Sequence, residues 1–193
     1  MTCAMNSTPE RNETDQKAAG TSPADPAAPL VDKLPDDVEQ AVRTLLEGAC
    51  ERDLALATAE SCTGGLIAAL LTDVEGCSHA FDRGFVVYSE EAKTELLGVP
   101  GVLIEKEGVV SGAVAMAMAE GALARSKADI AVAVTGFAGP AGGDDEPGLV
   151  DIACIRRGRD PVHRRCHFGD RGRAMIRVET VRVAVGMMIA AMD

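Results

Sequence analysis

Apolar and polar positions along this chain change period several times, and each change marks an element. From Asp36 the segment DDVEQAVRTLLEGACERD repeats at helical spacing, with Val38, Val42, Leu45 and Leu46 on one face and acidic residues in the first turn, where the helix dipole favours them. It predicts the helix that opens the domain. Leu54 to Thr58 reads as a short buried strand, followed by the polar cluster ESCTGG and a helix from Gly65 to about Asp73. FDRGFVVY, residues 81–88, predicts a second strand. SEEAKTELLG supplies a short helix stopped by Gly98 and Pro100, and Ser111 is placed to cap the Ala- and Met-rich helix GAVAMAMAEGALARSKA. The run DIAVAVTG, residues 129–136, is almost continuously apolar, as expected of a strand at the centre of a sheet covered on both faces.

Beyond the loop FAGPAGGDDEPG, the segments GLVDIACIRR and DPVHRRCHFG alternate around Gly158-Arg159 and predict a hairpin. A last helix, from about Gly172 to Met192, offers Met175, Ile176, Val181, Val185 and Met188 for burial. Strands alternating with helices, then an antiparallel pair, predict an α/β fold: a three-layer α/β/α sandwich with a mixed, mostly parallel sheet, spanning residues 35–193. Residues 1–34, rich in Pro, Ala, Ser, Thr and acidic side chains, have little to bury and are expected to be a disordered extension.

Composition narrows the classes. No apolar run approaches the roughly 20 residues that a spanning helix needs, and MTCAMNSTPERNETDQK lacks the basic-then-apolar order of a secretory signal. A cytoplasmic protein without membrane contact is expected. A net charge of -11 and only 3% aromatic residues argue against direct nucleic-acid binding. The 6 cysteines contain no C-x-x-C pair, so neither a disulfide framework nor a zinc site is expected, and no cofactor is implied. The apolar helices offer surfaces for a homo-oligomer, with a dimer expected.

Candidate chemistry concentrates in three places. In ESCTGG, Ser61 falls where a strand gives way to a helix, so its hydroxyl stands beside backbone N–H groups that bind an anion or an oxyanion. The local sequence also allows the plainer reading that Ser61 or Thr63 is a helix cap. A serine nucleophile needs a base. His79, His163 and His167 fit no triad order, and His163, Arg165 and His167 read as a solvated strand face. Lys93, one turn into the helix that follows Tyr88, is the other candidate, with a surface ion pair to Glu90 or Glu91 as its plainer role. TGFAGPAGG, residues 135–143, follows the most buried strand and should reach the carboxyl edge of the sheet, where open α/β folds place ligands. Arg171, Arg173 and Arg177 surround the start of the last helix, either to hold a phosphate or as solvated side chains.

Taken in order, ESCTGG, GFVVYSEEAKTELLGV, VVS before an Ala-rich helix, ADIAVAVTGFAGPAGG and FGDRGR with the following IR resemble the CinA C-terminal domain family from about Asp36 onward. The resemblance implies nicotinamide-nucleotide amidohydrolase activity: nicotinamide mononucleotide is converted to nicotinate mononucleotide and ammonia, a salvage step. It implies Ser61 as nucleophile and Tyr88 with Lys93 as its base pair. Thr63, Gly64 and Gly65 would supply backbone donors, Thr135, Gly136, Ala138 and Gly139 would line the cleft, and Arg177 with Arg173 would neutralise the phosphate. Some members carry a molybdopterin-binding-like domain, for which 193 residues leave no room. Where the family commonly reads close to YSNEAK, TGIAGPGGG and a Lys-Pro-Val-Gly segment, this chain has Glu90, Phe137, Ala141 and the acidic DDEPGLVD. The alternative expectation is a non-catalytic nucleotide-binding module of the same fold.

Overall fold

The computed structural model describes residues 34–139 and 145–193. The elements, in chain order, are α1 (Asp36–Glu51), β1 (Leu56–Glu60), α2 (Leu66–Leu71), a single 3-10 turn (Ser78–Ala80), β2 (Phe81–Val86), α3 (Glu90–Leu97), α4 (Gly101–Glu107), α5 (Gly112–Ala124), β3 (Ile130–Gly136), β4 (Leu149–Arg156), β5 (Val162–His167) and α6 (Arg173–Ala191). The five strands form one sheet in the order β2-β1-β3-β4-β5. β1 pairs in parallel with β2 and β3, whereas β3–β4 and β4–β5 are antiparallel. β4 alone therefore runs against the other four, which is the mixed three-layer α/β/α sandwich expected.

The two faces of the sheet are built differently. Ile130, Val132 and Val134 of β3, with Val150 and Ile152 of β4, pack against α1, α2 and α6. On the opposite face the same strands present Ala131, Ala133 and Ala153 to Val114, Ala115, Met118, Ala119 and Ala122 of α5. Small residues on both sides let α5 lie close to the sheet. α5 also meets α3 tightly: a Cβ at Gly121 would stand 2.2 Å from the Leu97 carbonyl oxygen. That contact fixes α3 against the core and, with it, Lys93.

Boundaries depart from the sequence reading where tertiary contacts decide. β1 runs to Glu60 instead of stopping at Thr58, because the buried Glu60 carboxylate finds hydrogen-bond donors in α2. β2 ends at Val86, before Val87 and Tyr88. Gly98 ends α3 in the left-handed conformation as expected, but Pro100 is the N-cap residue of α4, a short helix whose mostly exposed residues leave little apolar periodicity to read. Ser111 caps α5, its hydroxyl accepting from the Val114 N–H. Leu34, assigned by sequence to the N-terminal extension, packs against the core; the rest of that assignment lies outside the described residues, as do Ala141 and Asp144.

Candidate active site

β1 delivers Glu60 and Ser61 to the carboxyl edge of the sheet. The Ser61 N–H still donates to the Val134 carbonyl of β3 at 3.1 Å, so the serine backbone is held as if it were strand. The chain then turns through Gly64 and Gly65, with φ of 63° and 92°, two consecutive left-handed residues at which a side chain would be strained. Glu60 fixes this turn from within. One carboxylate oxygen accepts from the Thr63 hydroxyl at 2.6 Å, the Gly65 N–H at 3.0 Å and the Ile67 N–H at 3.1 Å; the other accepts from the Ala68 N–H at 2.8 Å. A buried carboxylate thus satisfies the first N–H groups of α2.

This arrangement alters the part expected of Thr63, Gly64 and Gly65. The Gly65 amide and the Thr63 hydroxyl are committed to Glu60, and the Gly64 amide donates to the Ser61 carbonyl at 3.1 Å. The helix end is filled by the protein's own anion. None of the three lines the cleft.

The cleft encloses about 270 Å³, near the lower end of the roughly 300–1,000 Å³ typical of small-molecule sites. Ser61, Tyr88, Lys93, Thr135, Gly136, Ala138, Gly139 and Arg173 all contribute to its wall with Phe137 of the same loop, as do three residues the sequence reading did not place there: Cys62, Val109 and Val110. Val109 and Val110 carry no chemical signal in sequence; they reach the cleft because the Thr135 hydroxyl donates to the Val109 carbonyl at 2.9 Å. Arg173 lies over Gly139, where a Cβ would come within 2.7 Å of its guanidinium. Arg177 is not at the wall. It donates to the Thr63 carbonyl instead, bracing the turn behind Ser61.

Lys93 is fully buried, and its Nζ donates to Ser61 Oγ at 3.2 Å and to the Val87 carbonyl at 2.9 Å. Loss of hydration is the main influence on this ammonium and pushes its pKa below the ordinary lysine range; the negative charge of Glu90 opposes the shift. The Cys62 thiol is a poor rival nucleophile. Burial pushes its pKa up to about 12, so near neutrality it keeps its proton. Tyr88 is 70% exposed at the rim. Lys93 therefore reaches Ser61 directly, without the Tyr88 hydroxyl between them.

The histidines that sequence read as solvated are only partly so. Asp151 of β4, beside Thr135 in the register, is fully buried, and it accepts from His163 Nε2 at 2.7 Å and from Arg165 through both carboxylate oxygens at 3.0 and 3.1 Å. His167 meets Glu146 at 2.9 Å on the surface. Among the described residues, no group of three or more His, Cys, Asp or Glu side chains could hold a metal ion, and no helix is long and apolar enough to cross a membrane.

The ordered blocks and this cleft coincide with a known family. The CinA C-terminal domain model matches residues 38–192. The chain belongs to that family. A CinA-like protein of Syntrophus aciditrophicus is 46% identical over 157 residues, 79% of this chain and 36% of the relative; one of Akkermansia muciniphila is 56% identical over 110 residues, 56% of this chain and 27% of the relative. The chain thus spans roughly a third or less of the curated relatives it matches. Solved structures of the family superpose over most of the chain. The competence/damage inducible protein CihA from Agrobacterium tumefaciens gives a TM-score of 0.80 at 46% identity, covering 82% of this chain and 97% of the other. A competence or damage-inducible protein from Enterobacter asburiae gives 0.77 at 32% identity, covering 82% and 100%.

Proposed function

We propose that this CinA-family domain is a metal-independent amidohydrolase that converts nicotinamide mononucleotide to nicotinate mononucleotide and ammonia. The observation that carries the reading is the contact between a buried lysine of lowered pKa and a serine hydroxyl at the wall of a cleft. An ammonium held among apolar groups gives up its proton more readily than one in water, and the neutral amine can then accept the serine proton.

In this mechanism Ser61 Oγ attacks the carboxamide carbon as its proton passes to Lys93. Collapse breaks the carbon–nitrogen bond, and ammonia leaves with the proton returned by Lys93. Water, deprotonated by the same lysine, then cleaves the acyl-enzyme, releasing the nicotinate product and restoring Ser61. Arg173, at the cleft wall beside Gly139, is the cation for the phosphate, with Arg177 confined to supporting the turn.

The test is ammonia release from nicotinamide mononucleotide by the purified chain. Ser61→Ala is expected to lower turnover at least about 10³-fold while the nucleotide still binds. If wild type and variant both bind it and neither releases ammonia, the domain is a nucleotide-binding module and the hydrolytic reading fails.

A further inference from the structure

Cys50 and Cys77 lie 27 positions apart in sequence and far from any C-x-x-C spacing, yet the fold brings them together. Cys50 occupies the last turn of α1. Cys77 is the N-cap residue of the 3-10 turn that leads into β2, and α1 packs directly on that turn. Both thiols are free, half-buried against the same apolar cluster, and in hydrogen-bonding contact with each other. Burial, with the neighbouring thiol second, pushes the Cys50 pKa up to about 11. Neither belongs to the cleft wall. Two other cysteines, Cys62 and Cys154, are buried, and burial raises both to about 12.

We infer that Cys50 and Cys77 form a reversible redox site, closing to an intramolecular disulfide when the protein meets hydrogen peroxide. The Cys77 thiolate attacks a peroxide oxygen, the O–O bond breaks, and the products are a sulfenic acid and hydroxide. Cys50 sulfur then displaces the sulfenic oxygen, which leaves as water with the Cys50 proton. The sum is two thiols and one peroxide giving one disulfide and two water molecules. A partially exposed thiol with a second one in contact is the arrangement such chemistry requires, since the second traps the sulfenic acid before it oxidises further.

The location gives the bond a mechanical consequence. Residues 72–80 join α2, which follows the Ser61 turn, to β2, which leads to Tyr88 and Lys93. A disulfide would tie that connection to the end of α1 and close a loop in the unfolded chain, reducing the entropy gained on unfolding.

The experiment treats the full chain with hydrogen peroxide, alkylates the remaining thiols and maps the peptides by mass spectrometry. The expected product has lost two hydrogens, alkylates at four cysteines instead of six, and carries a fragment-resolved link between Cys50 and Cys77. Dithiothreitol restores all six thiols. Cys50→Ser and Cys77→Ser each abolish the link, whereas Cys166→Ser keeps it; should a serine variant fail to fold, the corresponding alanine variant replaces it. The linked protein should also melt roughly 5 °C or more above the reduced form. A link involving Cys3, Cys62 or Cys166, a disulfide between chains, or oxygen added at Cys50 or Cys77 without a link would overturn the assignment.

Discussion

Lys93 and Asp151 are both shut off from water near the carboxyl end of β3, yet their surroundings are opposite. Asp151 is matched by a two-pronged contact from Arg165 and a third from His163, all reaching in from the edge strand β5. Lys93 has a serine hydroxyl and one backbone carbonyl, with no carboxylate in contact. Taking a charge out of water costs several kcal/mol unless it is paired. Asp151 meets that condition and joins β4 to the edge strand. Lys93 does not, and the deficit appears as a lowered pKa beside the Ser61 hydroxyl. The same burial is therefore matched by ionic partners in one place and left unmatched in the other, which is the contrast the proposed chemistry relies on.

Breaking the paired side should be felt in stability. Arg165→Met leaves a buried carboxylate with His163 alone and is expected to cost about 2–3 kcal/mol, somewhat less than loss of a wholly buried pair because Arg165 is itself half exposed. A fall in melting temperature of roughly 5–10 °C would register it. Unchanged melting would show that Asp151 is hydrated or protonated, and the contrast with Lys93 would weaken.

A smaller effect is expected at Glu60, whose carboxylate holds the turn without entering the cleft. Glu60→Gln places an amide NH₂ against donors that now meet an oxygen, so at least one N–H or hydroxyl loses its acceptor. Turnover should drop about 10- to 100-fold through misplacement of Ser61, with KM changed little. A rise in KM at unchanged kcat would instead make Glu60 a determinant of nucleotide binding.

The sheet was legible because its signals are local and repeated: the apolar run of β3, the apolar segment of β4, which is buried on both faces where sequence read it as alternating, and the caps at Ser111 and Gly98. The cleft was legible for a related reason. Ser61, Thr135 and Gly139 stand at strand ends or just after them, where a parallel arrangement converges, and Lys93 lies one turn into the helix that follows β2. What sequence could not give were the partners of buried polar groups. Glu60 looks like the first residue of a polar turn until α2 folds back over it, and Asp151 looks like an isolated acid in an apolar strand until β5 supplies Arg165. The contact of Cys50 with Cys77 depends on how α1 packs, and the commitment of Arg177 to the turn depends on the register of α6.

Lys93→Met tests the account most directly, because it removes the charge and keeps the volume. Nicotinamide mononucleotide turnover and unfolding free energy would be measured on wild type and variant across pH. Between the lowered folded-state pKa of Lys93 and the roughly 10.4 of an unfolded lysine, the unfolded chain holds more protons, so wild-type stability should rise with pH through that window. The methionine variant should lack this contribution and be at least as stable as wild type below the window, while ammonia release falls at least about 10²-fold. A variant that keeps its turnover, or one that unfolds more easily than wild type below that window, would contradict the claim that this lysine is buried for chemistry.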